Sequence, residues 1–113
     1  MAIQHCRIRK YRKSAQLSQR ELALLLGLRS QGTVADIESG RRKPGLAVTL
    51  ACEIVLGISA RELFPRLYRG AERNVLAEAR RLSAKLEKSG DRPRVAATVS
   101  AMVKRIEKAA HAP

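Results

Sequence analysis

The side chains in this chain that could do chemistry are mostly cations. Arg41-Arg42-Lys43-Pro44-Gly45 sets three positive groups in a turn-forming loop. Over all 113 residues, 23 Lys and Arg against 10 Asp and Glu leave a formal net charge of +13. Charges at this density repel one another, so they imply a polyanionic partner: nucleic acid first, an anionic membrane surface second, with mere solubility as the bland alternative. The groups that catalysis or metal binding needs are scattered. His5 and His111 stand near opposite ends, and Cys6 and Cys52 have no Cys-x-x-Cys spacing. No His, Cys and carboxylate cluster is legible, and Gly40-Arg41-Arg42-Lys43 is not a nucleotide-type phosphate loop. No enzyme, metal site or cofactor is expected.

Composition narrows the partner. Tyr11, Phe64 and Tyr68 are the only aromatics, too few for a platform that stacks single-stranded bases. Duplex DNA, bound through charge and helices, stays open. No apolar run approaches the length that spans a bilayer, and MAIQHCRIRK lacks the apolar stretch of a signal peptide. The cysteines are expected to be buried reduced thiols, and the compartment a reducing cytoplasm.

The elements that must position these cations read as all-α, since no stretch alternates apolar and polar with period two. Helix 1 is expected over about 3–14, with Ile8, Tyr11 and Ala15 inward. Helix 2 is expected over 19–26, capped by Ser18 with Glu21 three residues on, apolar at Leu22, Leu25 and Leu26, and closed by Gly27. Helix 3 covers 31–39, capped by Ser30, with Val34 and Ile37 inward and Gly40 at its end. Helix 4 covers 47–56, with Leu50, Ile54 and Val55 buried; a short helix 5 is capped by Ser59 and stopped by Pro65. Beyond it, Val75, Ala79, Leu82 and Leu86, then Val95, Val99, Met102 and Ile106, repeat heptad-like spacings around the break Ser89-Gly90-Asp91-Arg92-Pro93. These predict an αα-hairpin that either folds on the preceding helices or pairs with another chain. The expected division is a domain at 1–67, net +7, and an extension at 68–113, net +6, so the positive charge is not a detachable tail.

Residues 17–44 place a capped helix, a glycine turn and a second capped helix in succession. In a helix-turn-helix the second helix enters the major groove while the first crosses the backbone. The side chains make the pattern more specific: Arg12, Leu17-Ser18-Gln19-Arg20-Glu21-Leu22-Ala23, Gly27-Leu28, Val34, Ile37-Glu38-Ser39-Gly40, Arg41-Arg42-Lys43-Pro44, Leu56-Gly57-Ile58-Ser59 and Glu62-Leu63-Phe64. Over about residues 7–64 the chain resembles the lambda-repressor and Cro-like, or XRE, helix-turn-helix family. That resemblance implies a five-helix DNA-binding domain, here followed by a two-helix extension.

The resemblance also implies roles. Arg12 and Glu38 are expected to form a structural ion pair. Ser18 and Gln19, at the start of helix 2, and Arg41, Arg42 and Lys43, after helix 3, are expected to hold DNA phosphates. Base readout is expected from Gln31, Gly32, Thr33 and Asp36, with Gln31 able to pair bidentately with adenine. Asp36 either accepts from a base donor or is turned away. Two departures qualify this: Arg29 looks like one extra residue in the turn, where it can supplement readout, and Gly32 replaces a side chain that often reads a base. The implied function is a sequence-specific double-stranded DNA-binding regulator, a repressor acting as a nucleoid-associated homodimer on operator half-sites. Residues 68–113 are the expected dimer device, or a site for a protein partner as in an antitoxin or anti-activator. Coating of DNA by charge alone is the third reading.

Overall fold

The structure is a computed structural model that describes residues 6–110. The described residues form helices joined by short connections, without strands: α1 (Ile8–Ser14), α2 (Gln19–Leu25), α3 (Gln31–Ser39), α4 (Leu46–Leu56), α5 (Ala60–Leu63), α6 (Pro65–Ser89) and α7 (Pro93–Ala110). The fold is therefore all-α. Contacts divide the chain into two compact units, Met1–Tyr68 and Arg69–Pro113.

The first unit is assembled by capping and by a small apolar core. Ser18 Oγ accepts the Glu21 N–H at 3.0 Å while the Glu21 carboxylate accepts the Ser18 N–H at 2.8 Å, a reciprocal box that starts α2. α2 ends where the Leu28 N–H reaches back to the Ala23 carbonyl at 2.9 Å and the Gly27 N–H to the Leu24 carbonyl at 3.1 Å. This Schellman arrangement needs the left-handed φ of +74° that Gly27 adopts. Ser30 Oγ starts α3 by accepting the Gly32 N–H at 3.0 Å. Ile8, Leu22, Ala23, Val34, Ile37, Cys52, Leu63 and Phe64 form the core, with Cys6 beside them. Both cysteines are free and buried. The Cys6 thiol donates to the Ile37 carbonyl at 3.3 Å, tying the segment before α1 to α3. Tyr11 donates to Glu62 at 3.1 Å, and the Glu53 carboxylate accepts the Ala60 N–H, so α5 is fixed against α1 and α4.

Several expected inward positions face out instead. Ala15 and Leu25 are exposed, as are Leu50 at 49% and Ile54 at 82%. The sequence of α4, LAVTLACEIVL, is apolar almost all round. Periodicity cannot select a face in such a helix, and the buried side is the one carrying Cys52, flanked by Val48, Val55 and Leu56. The helix 1 expectation from residue 3 falls partly outside the described residues; within them the helix starts at Ile8. Pro65 does stop α5, but it also begins α6. The first turn of a helix tolerates proline because its N–H would have no partner there anyway.

In the second unit α6 and α7 pack together. Ala79, Leu86 and Val99 are buried, and Val95, Ala96, Met102 and Val103 pack around them. Ile106 is half-buried, whereas Val75 and Leu82 stay 45% and 40% exposed. The hairpin thus covers only part of the apolar seam on α6.

Candidate nucleic-acid interface

The starts of α2 and α3 meet around one open, polar depression lined by Arg9, Arg12, Ser18, Gln19, Arg20 and Gln31. Arg12 is committed within it. Its Nε donates to Glu38 Oε2 at 2.7 Å, its Nη2 to Glu38 Oε1 at 3.2 Å, and its Nη1 to the Leu17 carbonyl at 3.0 Å. The two side chains are 9% and 5% exposed, so the pair is desolvated and each charge answers the other. The same carboxylate accepts from Gln19 Nε2 at 3.0 Å. Glu38 therefore fixes both the floor of the depression and the amide at its rim.

Gln19 keeps its amide oxygen and second N–H outside that contact. Ser18 Oγ accepts in its cap, and its hydroxyl proton is shared with the Glu21 carboxylate, so it reaches an anion only by turning from that partner. Both stand at the first turn of α2, where backbone N–H groups and the helix dipole favour an anion. Gln31, exposed at the first turn of α3, faces the same depression. Arg9 and Arg20 complete a cationic rim that the sequence reading did not single out. On a helix surface rich in arginine, charge alone does not say which residues converge; only the meeting of α1 with α2 does.

The remaining expected positions spread along and beyond α3. Gly32 and Asp36 lie opposite the buried Val34 and Ile37. A Cβ at Gly32 would stand 3.2 Å from Ser30 Oγ, so an added side chain would crowd the cap hydroxyl. Thr33 is half-buried, and Arg29 is exposed in the turn. Asp36 is paired weakly with Arg41, 4.0 Å away, with side chains 45% and 81% exposed. This local cation tempers the repulsion Asp36 would exert on a phosphate. Gly40, at φ +82°, reverses the chain, and the Arg41 N–H bonds back to the Asp36 carbonyl at 2.9 Å. Arg41, Arg42 and Lys43 follow, exposed on the loop. Ser18, Gln19 and Gln31 are thus brought together in one depression, while Arg41, Arg42 and Lys43 form a separate basic loop beyond the far end of α3.

Among the described residues no three His, Cys, Asp or Glu side chains converge to hold a metal ion, and no helix is long and apolar enough to cross a membrane. His5 and His111 lie outside the described residues. Burial pushes the Cys6 thiol up and takes the Cys52 thiol to about 11, so neither is a ready nucleophile.

No curated protein and no solved structure matched the chain. Residues 8–63 match the family model described as helix-turn-helix. That span runs from the first residue of α1 to the last of α5, and contains the capped α2, the glycine turn and α3. Through these residues the chain belongs to the lambda-repressor and Cro-like helix-turn-helix family of DNA-binding transcriptional regulators.

Proposed function

We propose that the protein is a sequence-specific repressor that binds duplex DNA with α3 in the major groove and works as a dimer on two half-sites about 34 Å apart. The observation that carries this reading is the depression where Ser18, Gln19 and Gln31 converge with Arg9 and Arg20. A phosphate seated there would meet helix N-termini, hydroxyl and amide donors and two guanidinium groups together. With the backbone held at that point, Gln31, Gly32, Thr33 and Asp36 face base edges, and Arg29 supplements them from the turn. Arg41, Arg42 and Lys43 hold phosphates beyond the end of α3. Repression follows from operator occupancy that excludes polymerase, on the nucleoid in the cytoplasm.

Selection of bound sequences from random duplexes, followed by affinity measurements on variants, tests the assignment. Gln31→Ala is expected to relax preference at one position of the selected motif, at a cost of about 1–3 kcal/mol for the preferred base. Arg42→Ala is expected to weaken all sequences alike and to lower the salt slope by about 0.9. Equal effects of the two variants on every sequence would remove the distinction between reading and holding.

A further inference from the structure

Neither the hairpin core nor a dimer seam requires the net +6 of the second unit. Its distribution is uneven. α7 carries a single carboxylate, Glu107, which faces α6 with Arg80 at 3.8 Å. The apolar side of α7 is occupied by packing of Val99, with Val95, Met102 and Val103, against Ala79 and Leu86. The remaining face presents Arg94, Lys104, Arg105 and Lys108, all exposed. At 3.6 residues per turn these four fall within an arc of about 100° and extend over about 21 Å of helix. Ala97, Thr98 and Ala101, small side chains, lie among them. None of the four cations is paired with a carboxylate among the described residues. On α6 the signs are interleaved instead, with Glu78 at 2.7 Å from Arg81. A surface that serves only solubility mixes its signs, as α6 does.

We propose that this face of α7 is a second duplex-DNA contact surface, one that holds phosphates without reading bases. The inference rests on the duplex-binding reading of the first unit. The chemistry of the face selects the partner. Four cations separated by small side chains let a sugar-phosphate backbone approach closely. α7 contains no Asn, Gln or aromatic residue, so the bidentate pairing of adenine and the stacking of unpaired bases are both missing; Arg94 and Arg105 could still read guanine, and an unchanged motif preference in the variant below is what assigns them to phosphate. A membrane surface is disfavoured because the apolar side of α7, which would have to enter the lipid, is spent on α6. The result is a sequence-independent addition to affinity that acts through counterion release and is carried on the same chain as the reading helix.

The test uses the full chain with Arg94→Gln, Lys104→Gln, Arg105→Gln and Lys108→Gln combined. A control of equal charge combines Arg73→Gln, Arg81→Gln, Lys85→Gln and Lys88→Gln on α6. Affinity for the selected motif and for an unrelated duplex is measured across salt concentrations, with thermal melts alongside. The α7 variant is expected to lower the salt slope by about 1 to 3.5, at about 0.9 per phosphate. It should weaken both duplexes by the same factor and leave the motif preference unchanged, while the control moves the slope by less than about 1. An unchanged slope, an equal change in the control, or transfer of the effect to anionic vesicles or an acidic protein overturns the proposal. If the combined variant melts early, Arg94→Gln and Lys108→Gln are measured singly, each with an expected slope change of about 0.9. A wild-type chain that binds no duplex defeats the reading of the first unit. A wild-type chain that prefers its motif, with the slope unmoved by the α7 variant, defeats the α7 surface alone.

Discussion

Glu38 answers two donors from two different elements: the Arg12 guanidinium on α1 and the Gln19 amide on α2. Removing it leaves a guanidinium desolvated with no counter-charge. Glu38→Ala is therefore expected to cost about 3–5 kcal/mol in denaturant melts, the range for breaking a buried pair from one side. Replacing both partners by apolar residues, as in Arg12→Met with Glu38→Leu, is expected to recover much of that loss. A single-variant loss below about 1 kcal/mol would contradict the burial of this pair. The ion-pair role of Arg12 came from the family resemblance, but spacing also separates it from its neighbours: four residues after Ile8 it falls on the inward face of α1, whereas Arg9 falls to the side. The contribution of Gln19 to the same carboxylate was not accessible at all, since it depends on how α2 approaches α3.

At the scale of elements, the helix ends were the most legible feature. Ser18, Ser30 and Ser59 each supply the cap oxygen at the position expected of them, because a cap is a local arrangement of hydrogen bonds. Faces were harder. Leu25, Leu50 and Ile54 stand in stretches of sequence that are apolar on every side of the helix, and only the packing of neighbouring helices leaves these three uncovered. Pro65 was ambiguous for a related reason, as the same ring ends one helix and begins another. The box at the start of α2 also makes a pH prediction. The Ser18 N–H and hydroxyl hold the Glu21 carboxyl below its ordinary range. A depressed folded value adds stability above the unfolded value, and that stability is lost as pH falls through the folded one. Glu21→Gln keeps an acceptor but not the titration, so its melting temperature is expected to fall less steeply than wild type on acidification. Parallel curves for the two proteins would deny the carboxylate this role.

At the scale of the whole molecule, the uncovered stripe on α6 is what bears on a dimer. The hairpin covers Ala79 and Leu86 but leaves Val75 and Leu82 open, seven residues apart on α6. Heptad spacing aligns such a pair with its equivalent on a second helix, which supports pairing of two copies through α6. Val75→Asp with Leu82→Asp is expected to convert a sedimenting dimer into a monomer without lowering the helix content, because both sites are already exposed. On an operator with two half-sites, that variant loses the gain from joined binding, about 10²- to 10⁴-fold in affinity, while keeping single-site preference. A wild-type monomer at micromolar concentration, or a dimer that survives both substitutions, places the second copy elsewhere or removes it.

The two thiols of the chain give the first unit a private reporter. Cys6 and Cys52 both belong to its core, and residues 69–113 contain no cysteine. Shielded and protonated, these thiols react with an alkylating reagent only when the surrounding packing opens. The rate of alkylation therefore measures the opening of the DNA-binding unit by itself, even while α6 and α7 stay folded. Bound duplex should slow alkylation by the same factor by which it stabilises that unit.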